Sequence, residues 1–539
     1  MELFDERLEV TEYATFNCLL VHRKIERTRK EMINPLTKMD YPDPDVIRVE
    51  DTYYMVSTTM HFMPGGALLR SYDLRNWEIA GYIYDKLDDS PAERMDQERT
   101  EYAGGMWAAS IRYHEGVFYV VFVSHSAQKT YLFKATDPCG EWEKSEIEGY
   151  YHDCSLLFDE GKAYLAYGNF EIKLIELNEE LTGPREGGLN RTLIVDDRDY
   201  AMLGHEGSHL YKIGNYYYLF TIHWPKGGMR TECCFRADSL EGEFTGGEVL
   251  STDGGYCGQG VAQGGVVDTP NGKWFAVLFR DMGAVGRIPV LVPVTWKDDF
   301  PVFGTDGKIP DRFETYGSRP GYRYEPLYTS DKFLPIEGLP KEKQLALQWQ
   351  WNHQPDNDRW KLLPEGGLEI TTGKVCANLT HARNCLTQRM FWPKCEAEVT
   401  IDAAGINEGD FAGICALQSC YGFIGITKEL GSYYLVKIVR KEADFPDKMF
   451  SADYMPGTVE EKIALDDSRV TFCLKANFED MKDKLDFYYF KNDRFVKVGG
   501  SHQMKFRLDH FTGNRFGLVY YSTKKPGGSC VFKNFVYDI

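Results

Sequence analysis

Three carboxylates stand at one place in a repeated pattern, and their spacing is what chemistry could use. Asp43 lies between Pro42 and Pro44 in YPDPDVIRVEDTYYMVS, eight residues before Asp51 and eleven before Tyr54. Four later segments share its grammar of a small or polar residue, a β run, a tight turn and an aromatic strand. Their leading positions are Ala108, Asp153, Glu206 and Gln263, followed by Gly116, Gly161, Gly214 and Gly272, then by Tyr119, Tyr164, Tyr217 and Phe275. An acid in such a turn is ordinarily an Asx turn; three at equivalent positions ask for more. Pro44 also pushes Asp43 out of the helical region, so an acid with few conformations left to lose is expected there. Cleaving an acetal needs a proton on the leaving oxygen and an activated water on the far side of the anomeric carbon. One carboxylic acid and one carboxylate, roughly 6.5–9.5 Å apart, supply both. A third carboxylate crowds the acid and raises its pKa. Asp43, Asp153 and Glu206 can therefore act as base, modulator and acid, with no metal chemistry, if the fold gathers them.

Gathering them is a matter of architecture. The units recur about every 45 to 65 residues, and most close on a second signature: SYDLRNW at Trp77, ATDPCGEW at Trp142, RADSLEGEF at Phe244. Repeats of that length, each with several short strands, mark a β-propeller. The innermost strand of each blade lines a central channel, so the five leading positions share one axis. At 539 residues the chain is too long for one core, and its 14% aromatic content, in runs broken by Gly, Asp and Pro, suits strands. Residues 316–335 are rich in Pro, Gly and charge and read as a linker. Beyond them LEITT, CEAEVTID, FAGICALQ, YYLVKIV, RVTFCLKA and RFGLVYYS alternate as in a β-sandwich. The expected fold is all-β: an extension over 1–33, a five-bladed β-propeller over 34–315, and a β-sandwich over 336–539.

A net charge of -19 argues against nucleic acid and anionic membranes as partners, because a polyanion is repelled. The thirteen cysteines include the pair Cys233 and Cys234 and no CxxC spacing, which points to a reducing compartment and away from a zinc site. Asp5, Glu6, Glu9 and Glu12 precede a short apolar run, and Arg23, Lys24, Arg27, Arg29 and Lys30 follow it, the reverse of a secretory signal. No apolar run reaches transmembrane length. The expectation is a cytoplasmic protein, and association into a homo-oligomer is left open.

The motifs YPDPDVIRV, GGMWAASIRYHEGVFYVVF, HDCSLLFDEGKAYLAYG, GHEGSHLYKIGNYYYLF and QGGVVDTPNGKWF occur in order and resemble glycoside hydrolase family 43, the β-xylosidase and α-L-arabinofuranosidase family. VGRIPVLVPVTWKDDFPVFG closes the fifth blade in the same way, and LQWQWNHQPDNDRW and LDHFTGNRFGL resemble the concanavalin-like module attached to many members. The resemblance implies that Asp43 is the general base, Asp153 the modulating and orienting acid, and Glu206 the general acid. It implies that Arg287 reaches substrate hydroxyls and that Trp107 walls the first sugar subsite. Met60 and His61 stand where relatives place subsite residues, and Gln263 stands where many relatives carry a channel histidine, some with a calcium ion near it. No cofactor is required, and calcium is left as an option. In relatives the sandwich lends a loop to the channel rim; His353 and Asp356 in WNHQPDN are the candidates. Such a rim makes a pocket, hence exo action. The implied function is an inverting glycosidase that releases terminal α-L-arabinofuranose or β-D-xylose from plant cell-wall oligosaccharides. Two rivals are a retaining fructosidase-like enzyme, against which YPDPDV replaces the NDPNG-type opening, and a carbohydrate-binding propeller without turnover, which has no need of a proton donor.

Overall fold

The computed structural model describes residues 33–445 and 455–539, so the expected extension over 1–33 lies outside the described residues except for Ile33. Helix among these residues is confined to six three-residue 3₁₀ turns. Aromatic and β-branched runs end at a turn before any helical period can establish itself, and strands result.

Residues 45–303 form five four-stranded antiparallel sheets. The blades begin at Asp45–Val49, Met106–His114, Ser155–Asp159, Ala201–Ile213 and Val261–Asp268, and each runs outward as a meander in chain order, interrupted in the first blade by Phe62–Met63. The first strand of each blade lies beside the first strand of the next, and the fifth returns to the first. The repeated glycine explains the hairpins. Glu115–Gly116 and Glu160–Gly161 both take positive φ, 49° and 84° in one case and 49° and 74° in the other. That is the two-residue turn whose twist matches paired strands, and glycine makes it cheap. Tyr84, Phe122, Tyr131 and Phe133 pack between the first and second blades, and comparable aliphatic layers fill the later seams.

Polar bonds pin the channel itself. Asp45, fully buried, accepts from Arg112 Nη1 at 2.6 Å, the Ile111 amide at 2.9 Å and His209 Nδ1 at 3.2 Å, while Arg112 Nη2 donates to Ser155 Oγ at 2.9 Å. Four blades are thereby joined through the Asp45–Arg112 pair. Burial pushes Asp45 up, but Arg112 and His209 outweigh it and hold the carboxyl far below the ordinary range. The segment before the first blade closes the ring: the Leu36 and Tyr41 amides donate to the Pro289 and Arg287 carbonyls of the fifth blade.

The C-terminal half is a sandwich of two large sheets. One of them begins with a strand that the propeller half supplies, Phe62–Met63, which pairs with Trp351 and Asn352. Tyr41, Tyr53 and Met55 on the propeller side belong to the same buried cluster as Ile414, Phe472 and Phe516 of the sandwich. The stretch 316–335 lies against the first blade, with Tyr322 OH on Glu78, Arg319 on Asp51 and Tyr324 OH accepting the Tyr72 amide. No described helix is long and apolar enough to cross a membrane.

Candidate active site

The three acids come from the entries to the first, third and fourth blades. Asp43 and Asp153 sit at φ of 50° and 47°, in the left-handed region. Pro44 excludes only the right-handed helical region for its predecessor, and a short acid tolerates the mirror region better than most side chains. Gln263 has the same kink, φ 59°, and each such residue costs about 1–3 kcal/mol of backbone strain. At Glu206 the device is a bulge: pairing with the next strand slips on both sides of it, which re-aims a side chain out of the ladder.

Around these turns the acids converge. Asp153 Oδ2 accepts the Gly207 amide at 3.1 Å, and the Ser208 amide donates to the Asp153 carbonyl at 3.2 Å. The carboxylates of Asp153 and Glu206 lie within 4.8 Å of each other. Asp153 is pushed up by burial first and by Glu206 as well, against the pull of His152. Asp43 is also pushed up, by burial and by Asp153, with Arg287 opposing. Gly207 holds φ 62°, and a Cβ there would strike the Gln263 side chain at 2.7 Å. Only glycine lets the fourth and fifth blades close on each other beside Glu206.

Arg287 completes the constellation. Its Nη1 donates to Asp43 Oδ1 at 2.7 Å, while Nε and Nη2, both buried, have no hydrogen-bond partner among the described residues. Buried donors left over in a polar site are set out for a ligand's hydroxyls. The Phe511 ring lies 4.5 Å from the guanidinium and 5.9 Å from the Trp107 ring. Trp107 is half-buried and stacks on His125, 4.4 Å between centroids.

The chain matches the description "Glycosyl hydrolases family 43" over residues 32–301 and "Beta xylosidase C-terminal Concanavalin A-like domain" over 341–538. The chain belongs to glycoside hydrolase family 43. Among its relatives is a "Beta-xylosidase" of Formosa agariphila, 26% identical over 570 residues, covering 94% of this chain and 90% of the relative. Another is a "Non-reducing end alpha-L-arabinofuranosidase" of Bacteroides ovatus, 26% identical, covering 64% of this chain and 65% of the relative. A solved structure of a "Bifunctional GH43-CE" protein of Bacteroides eggerthii is 40% identical, with a TM-score of 0.85 over 94% of this chain; the present chain spans 63% of that one.

In this glycosidase the other expected site residues divide. Asp43, Asp153, Glu206, Arg287 and Trp107 are neighbours, and Gln263 backs Gly207, its amide donating to the buried Glu232 at 2.8 Å. His61 and His353 lie instead in the seam between the domains, and Met60 lies between the first two blades. Met60 is tied to Met106 by two backbone hydrogen bonds. His61 is enclosed by Phe62, Tyr102, His353 and His510, and His353 Nε2 accepts the Glu101 amide at 2.8 Å. The imidazoles of His61, His353 and His510 are all buried. Asp356 caps a 3₁₀ turn. The sandwich reaches the site through another loop, around Phe511, which takes φ 57° and is anchored next door by the Gly513 amide on Asp40 Oδ2 at 2.8 Å. Asp40 Oδ1 accepts the Arg287 amide at 2.7 Å, so one carboxylate fixes both.

Two further side chains reach Glu206, and an arginine lies within electrostatic range. Asn169 Nδ2 and His152 Nε2 both hydrogen-bond Glu206 Oε2, His152 at 3.2 Å. Arg230 pairs with Asp281, lies 4.5 Å from the Trp224 ring, and is pulled down to about 10 by burial and Arg287 against the carboxylates of Glu206 and Asp43. Calcium does not suit what is here. It takes six to eight oxygen ligands. The fifth-blade position is an amide packed on Gly207, and the Asp196, His205 and His223 group is two imidazoles with one carboxylate, already paired at 3.1 Å.

Proposed function

We propose that the enzyme removes a terminal pentose, β-D-xylose or α-L-arabinofuranose, from plant cell-wall oligosaccharides by single displacement with inversion. One observation carries this reading: turns of three different blades bring Asp43, Asp153 and Glu206 to one place, beside the unpaired donors of Arg287. In it, Glu206 gives its proton to the glycosidic oxygen as the C–O bond breaks. Asp43 takes a proton from the water that attacks the anomeric carbon. Asp153, held by the Gly207 amide, fixes the peptide next to Glu206 and keeps a second carboxyl beside it. Arg287 orients the base and offers Nε and Nη2 to sugar hydroxyls. The Phe511 loop packs on Trp107 and Arg287 beside the acids, which supports a pocket for a chain end. The names of the Formosa agariphila and Bacteroides ovatus relatives support the two pentoses.

The test uses leaving groups. Asp43→Asn loses turnover on every glycoside, by about 10²–10⁴-fold as expected for a general base. Glu206→Gln loses as much on alkyl pentosides but retains dinitrophenyl pentosides, whose phenol departs unprotonated. Equal losses for Glu206→Gln on both substrates remove the acid role from Glu206.

A further inference from the structure

The residue before Asp153 is a histidine, and nothing in the single-displacement scheme requires one there. His152 Nε2 lies 3.2 Å from Glu206 Oε2 and 3.8 Å from Asp153 Oδ2. The ring is mostly buried, with 21% of the side chain exposed, so it touches both the acid pair and solvent. Both side-chain donors to Glu206, His152 and Asn169, fall on Oε2, and none of the described residues donates to Oε1. One carboxylate oxygen is thus tied to an imidazole, and the other is left for the sugar.

We propose that His152 is the proton store of Glu206, a positioning residue that donates from Nε2 to Oε2 and refills the carboxyl after each turnover. This rests on the assignment of Glu206 as the acid. The accounting closes. Glu206 loses its proton to the leaving oxygen, and Asp43 gains one from the attacking water. The proton on His152 Nε2 crosses to Glu206 Oε2, His152 takes another from solvent, and Asp43 releases its own to solvent. No net proton is consumed.

The charges around the ring suit that task. Burial works against an imidazolium, but Asp153 and Glu206 outweigh it and push His152 up to about 9. The other titratable groups facing it are His125, itself lowered by burial and by His152, and Tyr150, pushed up to about 12 by burial and Asp153. The Trp107 ring, 5.8 Å away, is neutral. A hydrogen-bonded imidazole and carboxyl titrate together, and the last proton they share belongs to the pair.

His152→Gln keeps a donor opposite Oε2 but has no proton to pass. With an alkyl pentoside, the alkaline limb of kcat/KM is expected to fall by about one pH unit or more relative to wild type. With a dinitrophenyl pentoside the limb stays in place. A limb in the same position in both proteins, or a loss uniform across pH and leaving group, overturns the proposal. A second measurement does not depend on that variant's turnover. In ¹⁵N-histidine-labelled enzyme, the His152 resonance, assigned by its absence from His152→Gln, titrates well above free histidine. In Glu206→Gln its midpoint drops by about one unit or more. An unchanged midpoint shows that the two are not coupled and also overturns the proposal. That reading is separate from the leaving-group test, so a failed acid assignment and a failed proton store are told apart.

Discussion

Replacing Arg287 by Met removes the one cation that, among the described residues, touches the proposed base, and keeps most of the apolar stem. Asp43 is buried and already pushed up by burial and by Asp153, and the guanidinium at 2.7 Å is the largest force opposing them. An arginine beside an aspartate lowers its pKa by about 1–3 units. Its loss therefore lets Asp43 hold a proton to correspondingly higher pH, at about 1.4 kcal/mol per unit. A general base must be ionised to work, so the sign is fixed: activity is lost first on the acid side and recovers as pH rises. The assay is kcat/KM against pH on a dinitrophenyl pentoside, which needs no acid and isolates the base. The acidic limb should move up by about 1–3 pH units, a loss of about 10- to 1000-fold well below it. A uniform factor from lost hydroxyl contacts will be superimposed at all pH values. If the limb does not move and only the uniform factor appears, Arg287 binds sugar without tuning Asp43, and the electrostatic argument is wrong.

Phe511→Ala should lower kcat/KM by about 5- to 30-fold, the worth of one aromatic pair and one cation–π contact of about 1–2 kcal/mol. Because both contacts lie within the protein, its melting temperature should also fall slightly; unchanged kinetics would take the sandwich loop out of the pocket. The histidine seam predicts acid sensitivity of the whole fold. His61, His353 and His510 are held well below the usual value by burial first, and by one another or by neighbouring cations. They are neutral when folded and protonate in the unfolded chain below about 6.5. Stability thus falls as pH drops through 6.5, by up to about 1.4 kcal/mol per unit for each ring. His61→Phe should flatten the slope of melting temperature against pH between 7.5 and 5, and a slope as steep as wild type would refute this.

The propeller was legible because a blade must repeat its own grammar: each turn glycine and each aromatic second strand recurs, so equivalent positions can be aligned within one chain. That alignment brought out Asp43, Asp153 and Glu206 before any coordinates. Arg287 and Trp107 came from motif likeness and not from spacing. What escaped depends on contacts that no local pattern encodes. Phe511 arrives through docking of a domain more than two hundred residues away in sequence, and His353, on a likelier-looking loop, is sealed among other rings. His152 stood in plain view beside Asp153, and an imidazole next to a candidate acid was a signal that could have been taken. Asn169 reaches Glu206 from an ordinary turn sequence. The left-handed backbone at Asp43 was missed because proline's rule forbids one region without choosing between those that remain.

Phe62–Met63 leaves the first blade to become an outer strand of the neighbouring sheet. Severing the polypeptide near residue 320 would not, therefore, yield two finished modules. The upstream fragment would carry a dipeptide strand with nothing to bind, and the downstream one would present Trp351 and Asn352 as a bare, sticky margin. Chimeras that graft this C-terminal module onto another hydrolase must bring that short strand, or a substitute for it, along.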